Sequence, residues 1–236
     1  MKLSRLIQAL FSLFFSAQEK EPAASSASGA IRKTAEKEKD TGKKSRTLSL
    51  QQLCGRYENE LMNRQFHYTL QDQKGRKEKA VLVFDAGNFC HLFSIPSIAD
   101  KKAPDPSAFS GMQGWRNIQS GKITLSSLQK MDPEDFNFYH QEFFMFDELL
   151  DTVRNPRAVR YDPARVPGSR LKADLLLYGQ YQGKVVHLAL SRDRDGTYFP
   201  RSFFIRQEKQ DKAYPTKYIE PMEPLKVLRQ MSIKKA

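Results

Sequence analysis

The chain has 236 residues, enough for one domain of ordinary size plus a tail, and hydrophobic residues make up 39% of it. Its formal net charge is +12, which favours a polyanionic partner, nucleic acid first and an anionic membrane surface second. The cysteines, Cys54 and Cys90, lack CxxC spacing and the histidines do not cluster, which excludes a zinc site built on Cys pairs. Both cysteines lie in apolar patterns and are expected to be buried free thiols.

The N-terminal fifth contains two segments that differ from the rest of the chain. Residues 1–17 place their apolar side chains at helical spacing, which predicts an amphipathic helix that docks a partner or a membrane surface. A signal peptide is the alternative for the same residues. Residues 18–46 are rich in Ala, Ser, Lys and Glu and predict a disordered basic linker. Residues 47–236 are expected to form a single domain.

The domain is predicted to begin with a helix and a hairpin. Thr47 or Ser49 can cap a helix that continues to about Asn63. Residues 66–71 then alternate as a strand, and after a turn the apolar residues 80–84 predict a central strand.

The middle of the chain is predicted to be largely helical. A short helical turn within residues 85–98 projects His91, and residues 100–114 have the composition of a loop. Asp132 is a good N-cap for a single helix over residues 134–153. The aromatic stripe of that helix is expected to belong to the core, and its histidine, His140, to be a structural side chain.

Residues 155–170 form a proline-punctuated connection that carries several arginines. Arginine on an extended loop, here interleaved with Tyr161, suits contact with phosphate groups. The last arginine, Arg170, leads directly into the predicted strand that bears Lys172. We therefore expect this connection to contribute to a binding site.

The last third of the chain predicts an antiparallel meander. Residues 171–180, 185–191 and 198–206 are apolar runs separated by turn signals at Gly183 and at Asp195-Gly196. Polar side chains stand among the apolar ones, as is typical of a site built on a sheet face: Lys172, Asp174, His187, Arg201 and Ser202. A final strand or short helix is expected over residues 225–233.

Three segments resemble the signature segments of a known family. They are NFCHLFSI at 88–95, LKADLLL at 171–177 and YFPRSFFI at 198–205. In this order they are similar to a phage-associated nuclease family of the barnase, EndoU, colicin E5/D and RelE-like superfamily, the PBECR4-type group. The resemblance extends from about Leu50 to the C terminus. It implies an α+β fold in which helices pack on an antiparallel β-sheet.

The resemblance also implies RNA cleavage without a metal or other cofactor. In such a reaction the 2′-hydroxyl attacks the adjacent phosphorus and leaves a 2′,3′-cyclic phosphate. The implied catalytic residues are His91 for proton transfer, Lys172 for the charge on the phosphate, and Ser202 as a donor to a non-bridging oxygen. An imidazole suits proton transfer because its reference pKa of about 6.5 lies near the working pH.

Four further residues are expected to contact the substrate: Arg201, Arg170, Tyr198 and His187. His187 is also a reserve acid or base, because its alternation with Val186 and Leu188 projects it from one sheet face. Asp174 either orients Lys172 or caps a strand.

The leading hypothesis is thus an endoribonuclease, a toxin or processing enzyme of a phage or other mobile element. It would act on RNA in the cytoplasm of a bacterial host, with secretion through the N-terminal segment as the alternative location. A neutralising protein is a candidate partner. Two other hypotheses stay open: a non-catalytic nucleic-acid-binding module on the same fold, and a structural protein that docks a partner through the N-terminal helix.

Overall fold

The computed structural model describes residues 48–207 and 216–235, all of which belong to one compact unit. The predicted segments 1–17 and 18–46 lie outside the described residues. In the two described ranges, seven strands form a mostly antiparallel sheet and helices pack against it, which confirms the predicted fold class. None of the helices in these two ranges has the length and apolar character needed to cross a membrane.

The domain begins with the predicted helix and hairpin. Helix α1, Leu50–Tyr57, starts where the Ser49 side chain caps it in a capping box. It continues as a π-helical turn over Glu58–Met62. Strands β1, Arg64–Gln71, and β2, Lys77–Val83, then pair antiparallel. Alternate residues of β1 are buried, which follows from the two-residue period of a strand.

Short helices follow the hairpin: α2 Ala86–Leu92, α3 Ile95–Ala99, α4 Gly111–Gln119 and α5 Leu125–Met131. Helix α2 contains the predicted helical turn and carries His91. Helix α4 begins within residues 100–114, where the sequence predicts only a loop. The helix forms there because it buries Trp115 and Ile118 in the core.

The predicted aromatic helix is divided into three: α6 Pro133–Tyr139, α7 Gln141–Phe144 and α8 Phe146–Arg154. Asp132 caps α6 as expected, but the chain leaves regular helical geometry near Met145, whose φ is −108° and ψ is 37°. Phe136 and Phe143 are buried, whereas Phe138 and Phe144 are 71% and 49% exposed. The prediction that the whole aromatic stripe belongs to the core is therefore wrong for Phe138 and Phe144.

The remaining strands are β3 Arg157–Arg160, β4 Leu175–Tyr181, β5 Lys184–Arg192, β6 Tyr198–Gln207 and β7 Glu223–Lys234. Strands β4, β5 and β6 form the predicted meander. Gly183 and Gly196 occupy the left-handed φ values of 75° and 85° that its two turns require. Strand β4 starts later than predicted, at Leu175, so Lys172 and Asp174 lie in the approach to the strand.

The described strands close into a barrel in the order β1-β2-β6-β5-β4-β3-β7, with β7 pairing with β1. The contact between β2 and β6 is parallel and consists of the pair Leu82 and Tyr198. The other strand pairs are antiparallel.

The two faces of the strands pack against different parts of the chain. One face shares the main hydrophobic core with the helices, and there Leu188 of β5 and Phe203 of β6 are fully buried. On the opposite face a smaller cluster covers the sheet, formed by Val159, Tyr161, Val166, Leu176, Ala189 and Met222. Ser202 pairs with Ala189 and Phe204 with His187, so alternate residues of β6 face the same side as this smaller cluster.

Candidate active site

A pocket of about 980 Å³ lies between helices α6 and α7, strand β6 and the segment 169–172. Its lining includes four cationic side chains, Arg170, Lys172, Arg201 and Arg206, and one carboxyl group, that of Glu142. Ser202 and several aromatic rings complete the wall. Among the described residues, the pocket is therefore a basic cleft whose lining contains a single acid.

Strand β6 positions three of the lining side chains. Ser202, Phe204 and Arg206 alternate along the strand and face the pocket, whereas Phe203 between them enters the core. The register between β5 and β6 shifts at Ala189, a β-bulge that leaves Arg201 unpaired on the exposed rim of the pocket. Bulges re-aim side chains in this way near functional sites.

The segment that carries Arg170 and Lys172 is held by hydrogen bonds at both ends. The Leu171 N–H donates to Ser169 Oγ at 3.1 Å, and the Ser191 hydroxyl donates to the Lys172 carbonyl at 3.3 Å. The Asp174 carboxylate accepts from the Arg192 N–H at 2.8 Å, so this aspartate caps the strand end. These hydrogen bonds fix the backbone positions from which the Arg170 and Lys172 side chains extend.

The four cations of the pocket form no ion pair within the described residues. Arginines in or next to the basic connection 155–170 do form ion pairs: Arg154, at the end of α8, pairs with Glu60 at 2.6 Å, and Arg160 pairs with Glu78 at 2.7 Å. Positive charge that has no ion-pair partner among the described residues and is concentrated in a concave site is suited to an anionic ligand.

Arg206 is held by aromatic rings. Its guanidinium carbon lies 5.0 Å from the centroid of Phe204 and 5.9 Å from that of Tyr218. Phe204 in turn stacks on His187, with centroids 4.6 Å apart and planes 7° from parallel. These contacts restrict the guanidinium while leaving its charge at the pocket.

Glu142, on α7, is a buried carboxyl group: the residue is 6% exposed. Its Oε2 atom has no hydrogen-bond partner among the described residues. Burial raises the pKa of Glu142 to about 8, although a hydrogen bond with the Ser94 side chain and the charge of Arg206 both act to lower it. A carboxyl group whose pKa lies near neutral pH can exchange a proton during a reaction.

Ser94 adopts the left-handed conformation at the N-cap of α3, with a φ of 51°. This conformation is uncommon for a residue other than glycine and costs free energy. Ser94 lines the pocket, and its side chain hydrogen-bonds Glu142. The strained backbone thus places a hydroxyl beside the buried acid.

The structure brings together four of the residues that the sequence proposes for the site: Lys172, Ser202, Arg201 and Arg170. His91 is exposed on the last turn of α2 and does not belong to the pocket lining.

Two other proposed residues are buried and do not line the pocket. Tyr198 is 4% exposed and belongs to the main core, with the Arg192 guanidinium 5.9 Å from its ring centroid. His187 is fully buried behind the ring of Phe204. Within the described ranges, no group of three or more His, Cys, Asp or Glu side chains is placed to hold a metal ion.

Sequence reasoning missed Glu142 and Arg206. Glu142 stands in the run Gln141-Glu142-Phe143-Phe144, where an acid next to two phenylalanines is the only signal available. Arg206 lies near the end of an apolar strand, where an arginine is common and does not indicate a site.

Comparison with known proteins identifies the family. No curated protein and no solved structure matches the chain significantly. The model of the phage-Barnase-EndoU-ColicinE5/D-RelE like nuclease 4 family (PBECR4) matches residues 49–227, which is well over half of the chain. The match covers the barrel strands up to the middle of β7 and all the residues of the pocket. The chain therefore belongs to this family of phage-associated nucleases.

Proposed function

We propose that this protein is an endoribonuclease in which Glu142 takes the proton from the attacking 2′-hydroxyl. The observation that carries the proposal is the pocket itself: a buried acid whose pKa is raised to about 8 shares it with four cations that lack ion-pair partners in the described residues. An acid with that pKa is a stronger base than an ordinary carboxylate and still ionises near physiological pH.

The cations would hold the phosphodiester. Arg206 and Arg170 offer planar groups of donors for phosphate oxygens, and Arg201 stands on the exposed rim where the chain of a substrate enters. The Ser202 hydroxyl can donate to a non-bridging oxygen. Together they would stabilise the charge that builds up on the phosphorane as the 2′-oxygen adds to phosphorus.

In the proposed reaction, the 2′-oxygen forms a bond to phosphorus and the bond from phosphorus to the 5′-oxygen breaks. The proton of the 2′-hydroxyl passes to the Glu142 carboxylate, and the Lys172 ammonium protonates the departing 5′-oxygen. The products are a 2′,3′-cyclic phosphate and a 5′-hydroxyl. Glu142 and Lys172 then return to their starting states by proton exchange with water.

This proposal assigns to Glu142 the proton transfer that the family resemblance implies for His91. The reason is position, because Glu142 lines the pocket with Lys172 and Ser202, and His91 does not. The phage association of the family supports a role as a toxin or processing enzyme inside a bacterial host.

The test is incubation of the full chain with total RNA in the presence of a chelator, followed by mapping of the cut ends. We expect cyclic phosphate ends from the wild-type protein and none from Glu142→Gln. Binding of RNA without any cleavage would overturn the proposal in favour of a non-catalytic nucleic-acid-binding module. Cleavage that requires an added divalent metal would overturn the proposed reaction.

A further inference from the structure

The pocket has an aromatic ring at its edge that the fold does not bury. Phe138, on α6, is 71% exposed and lines the pocket. Aromatic side chains normally stabilise a fold by burying a large apolar area. A ring that is mostly exposed makes little of this contribution. Phe144 is also exposed, at 49%, but does not belong to the pocket lining.

The other rings of the wall already have partners. Phe204 stacks on His187 and contacts the guanidinium of Arg206, and Tyr218 packs against Phe204 with centroids 5.2 Å apart and planes at 68°. Phe138 instead meets Tyr139 edge to face, at 4.8 Å and 83°. This contact holds the ring in place and leaves most of its surface open to solvent.

We propose that the open ring of Phe138 stacks on a nucleobase of the substrate, and that the site therefore takes single-stranded rather than duplex RNA. A base can lie flat on a side chain only when it is free of its own base stack, which is why aromatic platforms are typical of single-strand binding. The cations of the same pocket hold the neighbouring phosphate. This inference rests on the proposed function, because it names the class of RNA that the same pocket accepts.

Two amide side chains adjoin the platform. Asn137 and Gln141 line the pocket on either side of Phe138 in the sequence, and Asn137 is exposed. The Gln141 Oε1 already accepts from Gln207 Nε2 at 2.7 Å, so Gln141 offers its amide donors to the edge of a base whose face rests on the ring. The Asn137 amide offers both donors and an acceptor. The combination of ring, amides and cations fits an unpaired nucleotide.

The test measures binding rather than cleavage, so that it stands apart from catalysis. The full-length protein is titrated with a short single-stranded RNA whose 2′-hydroxyls are all methylated and therefore cannot attack, and with a hairpin duplex of the same sequence. For Phe138→Ala we expect the affinity for the single strand to fall about tenfold, the effect typical of removing one base stack, with little change for the duplex. Phe138→Trp, which keeps a ring, should retain the wild-type preference.

Phe144→Ala is the matched control, since it removes an exposed phenylalanine outside the pocket, and it should leave both affinities unchanged. A substrate series with single abasic nucleotides adds a second measurement: one position should weaken wild-type binding and have no further effect in Phe138→Ala. Equal effects of Phe138→Ala on single strand and duplex, including no effect on either, would overturn the inference. If the wild type fails to cut RNA yet Phe138→Ala selectively weakens the single strand, the proposed function fails and the inference stands.

Discussion

Arg206 lowers the pKa of Glu142 without forming an ion pair with it. A direct ion pair would keep the carboxylate ionised and too weak a base to accept a proton from a hydroxyl group. Burial alone would raise the pKa further and keep the acid protonated. In the present arrangement burial is opposed by the hydrogen bond with Ser94 and by the charge of Arg206, and the pKa of Glu142 is about 8.

The first prediction concerns stability. Because burial raises the pKa of Glu142 above that of the unfolded chain, the folded protein binds more protons between about pH 4.5 and about pH 8. The contribution of Glu142 to stability is therefore fully present below this window and declines as the pH rises through it. Over the whole window the free energy of unfolding should fall by up to roughly 5 kcal/mol from this residue.

Urea unfolding at a series of pH values measures this dependence. Glu142→Gln cannot ionise, so its stability should decline less with pH than that of the wild type. Parallel curves for the two proteins would show that Glu142 titrates in the folded state as it does in the unfolded chain.

The second prediction is that removing the charge of Arg206 raises the pKa of Glu142 further. Arg206→Gln takes away one of the two interactions that lower this pKa, whereas Arg206→Lys keeps the charge. Carbon NMR of labelled carboxyl groups measures the titration directly. Arg201→Gln is the control, since Arg201 lines the pocket but does not act on the pKa of Glu142. An unchanged titration in Arg206→Gln would contradict the coupling.

The third prediction separates the cations of the pocket from those engaged elsewhere. Replacing Lys172 or Arg170 with glutamine should weaken RNA binding and reduce the slope of log affinity against log salt by about 0.7 for each phosphate that the variant no longer neutralises. Arg154→Gln is a matched control, because Arg154 is paired with Glu60 outside the pocket. A salt slope that changes as much in Arg154→Gln as in Lys172→Gln would mean that the pocket is not the binding site.

The same cations show which features of the site can be predicted from the sequence alone and which cannot. The helix cap at Ser49, the turn glycines Gly183 and Gly196 and the meander are local features, so the sequence alone predicts them. The partners of Arg154 and Arg160 are remote in the chain, Glu60 and Glu78, and no local pattern reveals that these charges are already neutralised. The basic connection therefore looks like a continuous phosphate-binding loop, although only Arg170 of its arginines lines the pocket.

The interruptions of the aromatic helix explain the remaining differences between the predicted site and the observed one. Residues 134–153 have a uniform helical pattern, so the sequence offers no reason to end a helix near His140 or Met145. Glu142 lies between these two interruptions, on α7, so the pattern of a single helix does not place its side chain. Burial of a carboxyl group, which sets its pKa, depends on tertiary packing and leaves no periodic signal in the sequence.

The fourth prediction concerns His91. Because this side chain is exposed and outside the pocket, His91→Ala should change the free energy of unfolding by no more than about 0.5 kcal/mol. It should also keep RNA cleavage close to the wild-type rate. Loss of cleavage in a folded His91→Ala protein would contradict the assignment of the proton transfer to Glu142 and would assign it to the His91 imidazole instead.

The fifth prediction is the most direct test of the central claim, that a buried carboxyl group of raised pKa performs the proton transfer. Single-turnover cleavage of RNA is measured across pH for the wild type and for Glu142→Gln. The wild-type rate should rise with pH and level off above about 8, and the glutamine variant should be at least roughly a hundredfold slower with no such rise. A wild-type profile that is flat through this range, or one that Glu142→Gln reproduces, would contradict the account.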